Sequence, residues 1–354
     1  MDKIRYGLIG AGWRAAFFMR AARLMPDRFE LCGVLCRSEE RAREVAQQHE
    51  VRTFASLDAL LDARPEFVVS CVSKAEMPKM TRMLLERGMP VLAETPLATD
   101  VDGLETLYAA WRQTGTPLQL AEQYFLWPTH QARRALIDRG LLGDVHHCAL
   151  SDVHDYHAVS LFRHYLGEES GPVRVRANRM DFPVTATDSR AGLITTGEAG
   201  QESRVLAQLR YGDGRAALYD FSGLQYHSTI RTRHVRICGT RGEIFDDEVR
   251  YLTQDHRPRM SRLEVRRDGI TGTICAVDFE GERLYESPFP ADIPMTEDEI
   301  AVFDVLTRMG RMVRGGEPFY PVRHAFRDGY LSALMHAAAD GDTEVISRTM
   351  PWDT

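Results

Sequence analysis

The chain has 354 residues, of which 44% are hydrophobic and 27% charged, a composition that excludes a fibrous or largely disordered protein. This length predicts about two domains. The formal net charge of -7 lacks the basic excess of nucleic-acid-binding proteins, so we expect no nucleic-acid partner.

Residues 1–121 alternate short apolar segments with amphipathic ones. Helices are expected at residues 14–25, 39–49, 77–87 and 102–112, and strands at 4–9, 29–35, 67–72, 90–93 and 117–121. The run at 67–72 is continuously apolar, as in a strand that is buried on both faces of a parallel sheet. Repeated strand–helix units predict an α/β fold, with a Rossmann-type, doubly wound parallel sheet in residues 1–121.

The pattern changes after residue 121. Helices are expected at residues 129–139, 156–166, 297–313 and 322–339. Short alternating segments with glycine-containing turns occupy about 172–285, which is typical of a mostly antiparallel sheet. We therefore expect residues 122–354 to form an α+β domain, whose C-terminal helix packs back on the first domain.

A glycine-rich motif directly follows the first predicted strand and opens a helix. Its spacing is the G-x-G-x-x-G/A pattern of dinucleotide-binding proteins. Gly10 permits the tight turn, Gly12 lets the backbone approach a pyrophosphate, and Ala15 allows close packing of helix and strand. The helix N-terminus then offers unpaired N–H groups to the phosphates. The predicted cofactor-binding residues in this motif are Gly10, Ala11, Gly12, Trp13 and Arg14.

The residues after the second strand bear on the choice of coenzyme. An acidic residue here would accept a hydrogen bond from the ribose 2′-hydroxyl of NAD. The chain has Arg37 and Ser38 instead, which can bind a 2′-phosphate and favour NADP. Glu39 or Glu40 could still reach back to the ribose. Ser73, after the next buried strand, is placed on the nicotinamide side.

Several motifs resemble the glucose–fructose oxidoreductase / inositol dehydrogenase / MocA family (Gfo/Idh/MocA). They are GLIGAG at 7–12, the strand end at 68–72, GMPVLAETPLA at 88–98, GLLGDV at 140–145 and GTRGEI at 239–244. The resemblance implies a Rossmann domain, a second domain with a large open sheet, and NAD(P)-dependent chemistry on sugars or cyclitols. It also implies a homodimer or homotetramer that associates through that sheet.

The chain departs from the family at its Glu-Lys-Pro motif, which here is Glu94-Thr95-Pro96. Threonine has no group that titrates near neutral pH, so Thr95 cannot act as an acid, a base or a charge. Glu94 and Thr95 stay candidates for contacts with the cofactor, and Thr95 also for positioning the substrate.

His157 matches the family histidine at the start of a helix, and the resemblance implies a catalytic role for it. A histidine can exchange a proton at neutral pH, as hydride transfer to or from an alcohol requires. The family aspartate four residues earlier is replaced by Val153, and Asp152 or Asp155 is a possible substitute. His154 and Tyr156 share the same turn and are further catalytic candidates.

The remaining candidates surround this turn. Tyr124 follows the last Rossmann strand, where it either donates to a substrate carbonyl or packs at the domain junction beside Trp127. Arg163 lies nearly two helical turns after His157 and either binds an anionic substrate group or forms a structural salt bridge. The predicted substrate-binding residues are Thr95, Tyr124, Trp127, Asp155 and Arg163. Asp188 and Arg190, in a polar loop, are secondary candidates.

No metal site is expected, because the chain has neither an HExxH motif nor paired CxxC cysteines. Six scattered cysteines are typical of reduced thiols in a cytoplasmic protein. No apolar run approaches the ~20 residues that span a membrane, and the first residues do not resemble a signal peptide. We therefore expect a cytoplasmic protein without a membrane partner.

Three functions compete. The first is an NAD(P)-dependent oxidoreductase that acts on a sugar, cyclitol or related polyhydroxy compound, with His157 or Tyr124 handling the proton. The second is a redox-neutral lyase or hydrolase, in which bound NAD(P) is reduced only transiently; the missing lysine motivates it. The third is a non-catalytic NAD(P) sensor. The first is favoured, because the nucleotide motif is intact and polar residues are plentiful at the expected site.

Overall fold

The computed structural model describes residues 2–168, 171–189 and 191–353. The part that begins at the N-terminus contains a six-stranded parallel sheet with strand order β3-β2-β1-β4-β5-β6. The strands are β1 (Ile4–Ile9), β2 (Phe29–Leu35), β3 (Thr53–Phe54), β4 (Phe67–Ser70), β5 (Val91–Ala93) and β6 (Leu118–Leu120). The helices between them are α1 (Ala15–Leu24), α2 (Glu39–His49), α3 (Leu57–Asp62), α4 (Met77–Glu86) and α5 (Val101–Thr114).

The order of these strands reverses between β1 and β4, and the carboxyl ends of the strands form a crevice at that point. All four residues of β4 are buried, as its continuous apolar run predicted. Gly10 follows β1 with φ of 99°, and a Cβ there would lie 2.3 Å from the carbonyl oxygen of Cys71. Only glycine fits this turn, which brings the first helix close to the ends of β1 and β4.

The second part contains an eleven-stranded sheet with strand order β18-β17-β16-β15-β14-β13-β7-β12-β11-β8-β19. The β7–β12 pair is parallel, and the other neighbouring pairs are antiparallel. The helices are α6 (Pro128–Asp138), α7 (Asp155–Leu166), α8 (Glu297–Val313) and α9 (Val322–Gly341). The strands are β7 (Val145–Ser151), β8 (Arg174–Thr185), the short hairpin β9 (Asp188–Ser189) and β10 (Gly192–Leu193), β11 (Ala199–Arg210), β12 (Ala216–Ser222), β13 (His234–Gly239), β14 (Gly242–Phe245), β15 (Glu248–Leu252), β16 (Pro258–Arg267), β17 (Ile274–Phe279), β18 (Glu282–Glu286) and β19 (Glu344–Ile346).

This architecture confirms the predicted fold class, a parallel Rossmann sheet followed by a large and mostly antiparallel one. The elements β3, α3 and β19 were not expected. β3 has two residues and α3 has six, too few to show a hydrophobic period. β19 pairs with β8, which is more than 150 residues away in sequence, so local pattern does not reveal it.

Helices α8 and α9 lie across both parts of the chain. A Cβ on Gly310 of α8 would come within 2.7 Å of Ile4 in β1, and one on Gly329 of α9 within 3.2 Å of Leu104 in α5. Both glycines therefore permit close packing of these helices on the first part. Among the described residues, no helix is long and apolar enough to cross a membrane.

Candidate active site

The glycine-rich loop opens onto a cleft of about 1030 Å³ at the carboxyl ends of β1, β2, β4 and β5. A Cβ on Gly12 would meet no atom within 4 Å, so the loop leaves open space beside its backbone. Ala15 is fully buried where α1 begins, as the close packing of helix and strand requires. The predicted cofactor-binding residues that line the cleft are Gly10, Ala11, Gly12, Trp13, Arg14, Arg37, Ser73, Glu94 and Thr95. This open, glycine-edged crevice fits a dinucleotide.

Two arginines line the cleft beside the end of β2. Arg37 was predicted there, whereas Arg41, in the first turns of α2, was not. Arg41 donates from Nη2 to the carbonyl oxygen of Ala11 at 2.8 Å and forms an ion pair with Glu44 at 2.7 Å. Ser38 caps α2 by accepting a hydrogen bond from the Arg41 backbone N–H at 3.2 Å. No carboxylate lines the cleft at this end among the described residues.

Glu122 and His157 form a buried hydrogen-bonded pair. Glu122 Oε2 lies 2.6 Å from His157 Nδ1, and the two residues are 1% and 3% exposed. β6 carries Glu122 at its end, and α7 carries His157 in its first turn. The other oxygen of Glu122, Oε1, accepts a hydrogen bond from the Tyr124 backbone N–H at 3.1 Å. Sequence reasoning named His157 but gave Glu122 no role.

Burial disfavours the charged form of each member of this pair. It raises the pKa of Glu122 to about 8. Burial, and next the nearby Arg14 guanidinium, lower the pKa of His157 to about 3. Near pH 7 the Glu122 carboxyl is therefore mainly protonated and donates to Nδ1 of the neutral imidazole, whose own proton is on Nε2. Nε2 of His157 has no hydrogen-bond partner within the described residues, so it is available to a substrate oxygen.

A chain of hydrogen bonds runs beside this pair. The His154 ring bonds the hydroxyl of Tyr226 through Nδ1 at 2.8 Å and that of Tyr156 through Nε2 at 2.9 Å. The Tyr226 hydroxyl also lies close to the Tyr124 side chain, and the Tyr156 hydroxyl close to that of Thr95. Burial, and next the His157 ring, lower the pKa of His154 to about 3, so His154 stays neutral with one donor and one acceptor nitrogen. Tyr226 is a site residue that sequence reasoning missed.

Charged residues join the two parts of the chain beside the site. They are Glu94, Arg14 and Asp298. Burial raises the pKa of Glu94 to about 7, against the opposing effect of Arg14. Arg14 Nη1 donates to Asp298 of α8 at 2.6 Å. Asp298 also accepts from the Trp127 indole N–H at 3.3 Å. The guanidinium of Arg14 is therefore held at the junction, although Arg14 was predicted as part of the phosphate loop.

The aromatic residues Tyr124 and Trp127 stack with ring centroids 4.8 Å apart, and the Tyr124 ring lies 4.5 Å from that of His157. The structure therefore places both predicted aromatic residues beside the buried pair. Lys74, an exposed residue that lines the cleft, has its ammonium 5.8 Å from the Tyr156 ring centre. Sequence reasoning did not single out Lys74.

Two predicted substrate-binding residues are engaged elsewhere. The Asp155 carboxylate pairs with His336 of α9 at 3.2 Å. Arg163 donates to Asp328 of α9 and, at 2.6 Å, to the Tyr320 hydroxyl, and it lines a different cavity from the coenzyme cleft. Asp188 lies in the β9–β10 hairpin, and Arg190 is outside the described residues. No cluster of metal-binding side chains occurs in the described ranges.

Comparisons with known proteins agree with this geometry. Residues 4–122 match the Gfo/Idh/MocA oxidoreductase family with an NAD-binding Rossmann fold. The chain is 26% identical to the scyllo-inositol 2-dehydrogenase (NADP(+)) IolU of Bacillus subtilis (strain 168), over 80% of this chain and 86% of that protein. It is also 26% identical to the trans-1,2-dihydrobenzene-1,2-diol dehydrogenase of Sus scrofa, but over only 40% of this chain and 43% of that protein.

The fold is also that of a solved levoglucosan dehydrogenase in complex with NADH and levoglucosan. The TM-score is 0.71 with 16% identity, over 98% of this chain and all of that one. The resemblance predicted from the sequence motifs is thereby confirmed. Residues 4–122 match the NAD-binding Rossmann fold of the Gfo/Idh/MocA oxidoreductase family, in agreement with the glycine-rich motif and the six-stranded parallel sheet.

Proposed function

We propose that this protein is a Gfo/Idh/MocA oxidoreductase that transfers a hydride between NAD(P) and a sugar, a cyclitol or a related polyhydroxy or keto compound. The observation that carries the proposal is the buried Glu122–His157 pair beside the cleft of the glycine-rich loop. The names of two similar proteins support the substrate class, since one acts on scyllo-inositol and the other was solved with levoglucosan.

The coenzyme fits the cleft with its phosphates at the loop of Gly10 and Gly12, where N–H groups at the start of α1 are available. When bound, the nicotinamide supplies the chemistry of accepting or releasing the hydride. Arg37 and Arg41 support a preference for NADP because, of the residues that the structure describes, two guanidinium groups and no carboxylate line the cleft beside β2. Ser38 supports it only by capping the helix that carries Arg41.

The proton of the substrate hydroxyl is handled by Glu122 and His157. In alcohol oxidation, Nε2 of His157 takes this proton while Nδ1 passes its own proton to the Glu122 carboxylate. The pair gains one proton, and the imidazole ends neutral, as its burial demands. In ketone reduction, each step runs in reverse. Glu122 touches no substrate in this scheme, so it acts through His157.

Thr95 has no charge, so we assign it a positioning role through its proximity to the Tyr156 hydroxyl. Tyr156 and His154 provide a second hydrogen-bonded path at the site, which ends at Tyr226, close to Tyr124. Tyr124 and Trp127 form an aromatic wall for the substrate. For Asp155 and Arg163 we propose a structural role instead, since each of them ties α7 to α9.

The division of labour along the chain is also a proposal. Residues 1–121 bind the coenzyme, and residues 122–354 bind the substrate and mediate association into a homodimer or homotetramer. Four large apolar side chains are exposed on one face of the large sheet, which supports association there: Phe182, Leu218, Phe245 and Met260. We place the protein in the cytoplasm, where its six free cysteines remain reduced.

The proposal is tested with purified protein, NADP or NAD, and a panel of sugars, cyclitols and their keto forms. Nicotinamide absorbance and product mass are followed in the same mixtures. We expect a net change in absorbance together with a product that differs from its substrate by two hydrogen atoms. Product formed at constant absorbance would instead show redox-neutral chemistry, and nucleotide binding without turnover on the panel would oppose an enzyme of this substrate class.

A further inference from the structure

A second cavity, of about 620 Å³, lies where the end of α7, the start of α9 and the segment after β19 meet. No residue lines both this cavity and the coenzyme cleft. The proposed oxidoreductase reaction uses none of its residues. The cavity is therefore a separate concave site on the same chain, and its chemistry can be considered independently.

The lining of this cavity is rich in arginine. Arg163, Arg323, Arg327 and Arg348 line it, whereas Glu168 and Asp353 are its carboxylates. Arg163 is bound by Asp328, and Arg327 pairs with Asp353 at 3.2 Å. Arg163 and Arg327 therefore form ion pairs within the protein. Binding of a ligand would depend on Arg323 and Arg348.

The side chains of Arg323 and Arg348 have only long contacts among the described residues. Arg323 Nε donates to Nε2 of the neighbouring His324 at 3.4 Å. Arg323 lies 3.7 Å from Glu168, and Arg348 lies 3.8 Å from Glu105. Both separations exceed a hydrogen bond. The Arg323 and Arg348 side chains are 63% and 70% exposed, so their pairs are weak. Since a guanidinium has five N–H donors, each of these arginines keeps donors for a ligand.

Trp352 forms part of the wall of the same cavity. The residue is only 3% exposed, and its indole nitrogen is shielded from solvent. Its ring stacks on that of Phe326 with centroids 5.4 Å apart. Trp352 is therefore an aromatic neighbour of the arginines whose emission can report binding.

We propose that this cavity binds a small phosphate-bearing molecule through the guanidinium groups of Arg323 and Arg348. These donors come from two separate segments, α9 and the segment after β19. A tetrahedral phosphate offers three acceptor oxygens in different directions, whereas a planar carboxylate offers two. Arginine is also the side chain best suited to bind phosphate oxygens in pairs.

The test is calorimetric titration of the full chain with pyrophosphate and with inorganic phosphate at constant ionic strength. The double variant Arg323→Gln/Arg348→Gln should weaken binding by about tenfold or more, since it removes two charged hydrogen-bond donors. Arg82→Gln, which changes an exposed arginine on α4, is the matched control and should leave binding unchanged. Arg37→Gln tests whether the phosphate binds in the coenzyme cleft instead of the second cavity. Weaker binding by this variant would place the phosphate in the cleft.

Tryptophan emission localises the binding independently of the arginine variants. Pyrophosphate should change the emission of the natural chain, and Trp352→Phe should lose that change while it keeps the far-UV circular dichroism of the natural chain. The proposal is overturned if no heat of binding is found, if chloride at equal ionic strength gives the same response, or if Arg37→Gln abolishes binding that the double variant retains.

Discussion

The buried carboxyl group of Glu122 determines how the site would exchange protons with a substrate. It lies 2.6 Å from His157, and burial raises its pKa to about 8. In oxidation, the pair must accept a proton, so Glu122 has to be ionised. In reduction, the pair must donate, so Glu122 has to be protonated. Oxidation is therefore expected to speed up, and reduction to slow down, as the pH rises through about 8.

Glu122→Gln tests this assignment. The amide cannot take the proton from Nδ1, so kcat should fall by about 100-fold or more, and the pH dependence near 8 should disappear. KM should change little, because Glu122 does not touch the substrate. The measurement is steady-state kinetics from about pH 6 to about pH 10, a range that spans the titration of Glu122.

Glu297→Gln is the matched control for Glu122→Gln. Glu297 is another glutamate that binds a side chain, that of Thr129 at 2.7 Å, but it lies outside the pair. It should keep the kcat and pH profile of the natural chain. A Glu122→Gln protein with an unchanged pH profile would show that the proton is handled elsewhere.

The proposed preference for NADP also depends on a single residue, Arg37. Arg37→Gln removes a guanidinium from the ribose end of the cleft, so KM for NADP should rise by about tenfold while KM for NAD stays the same. Arg43→Gln, an exposed change on the adjacent helix α2, should affect neither KM. Equal effects on both coenzymes would mean that Arg37 does not contact a 2′-phosphate.

At the scale of elements, the start of α7 depends on a side chain from the turn after β12. Tyr226 lies in a 3₁₀ turn, Gly223–His227, and its hydroxyl contacts both the backbone N–H and Nδ1 of His154. Since α7 has no side-chain cap at His154, Tyr226 fixes this residue from outside the helix. The orientation of the His154 ring is thus set by a neighbouring element.

Tyr226→Phe should lower kcat by about tenfold, because His154 loses the partner that sets its tautomer and its backbone N–H loses an acceptor. KM should change less than kcat. The comparison is with Tyr251→Phe, which removes a hydroxyl bound to Glu280 at a distant part of the large sheet. If both variants have the same kcat, the hydrogen-bonded path through His154 plays no part in turnover.

Local sequence predicted those elements and residues whose role follows from short spacing. The glycine motif after β1 and the position of His157 at the start of α7 are examples. The partners of such residues were not predictable, because they come from distant parts of the chain. Glu122 is 35 positions from His157, and Asp298 is 284 positions from Arg14. The packing of α7 against the turn that follows β6, and of α8 against α1 and β1, brings these pairs together.

At the scale of the whole molecule, stability depends on pH through the buried histidines and the buried acids. These two groups of residues act in opposite directions. Burial lowers the pKa of His154, His157 and His164 to about 3. Below their unfolded value of about 6.5, the unfolded chain binds more protons, so stability falls as the pH falls. Burial raises the pKa of Glu94 and Glu122 to about 7 and 8. Their protonated forms stabilise the fold below about pH 4.5, and that contribution is lost as the pH rises through their folded values.

Between about pH 4.5 and 6.5, the histidines with lowered pKa values, which also include His324 at about 4, outweigh the two acids, so stability should decline on acidification. Above about pH 6.5 these histidines are neutral in both states, whereas Glu94 and Glu122 still bind protons in the folded chain, so stability should decline as the pH rises towards 8. The free energy of unfolding is therefore expected to peak near pH 6.5, which urea titrations at constant ionic strength can measure.

His164→Asn isolates one histidine that lies outside the proposed chemistry. A histidine with a folded pKa of about 3 makes the free energy of unfolding about 2 kcal/mol smaller at pH 5 than at pH 7. The variant should therefore lose about 2 kcal/mol less than the natural chain between these two pH values, whatever its stability at pH 7. An identical loss in both proteins would mean that His164 takes up its proton in the folded state, and that burial on α7 does not keep this histidine neutral.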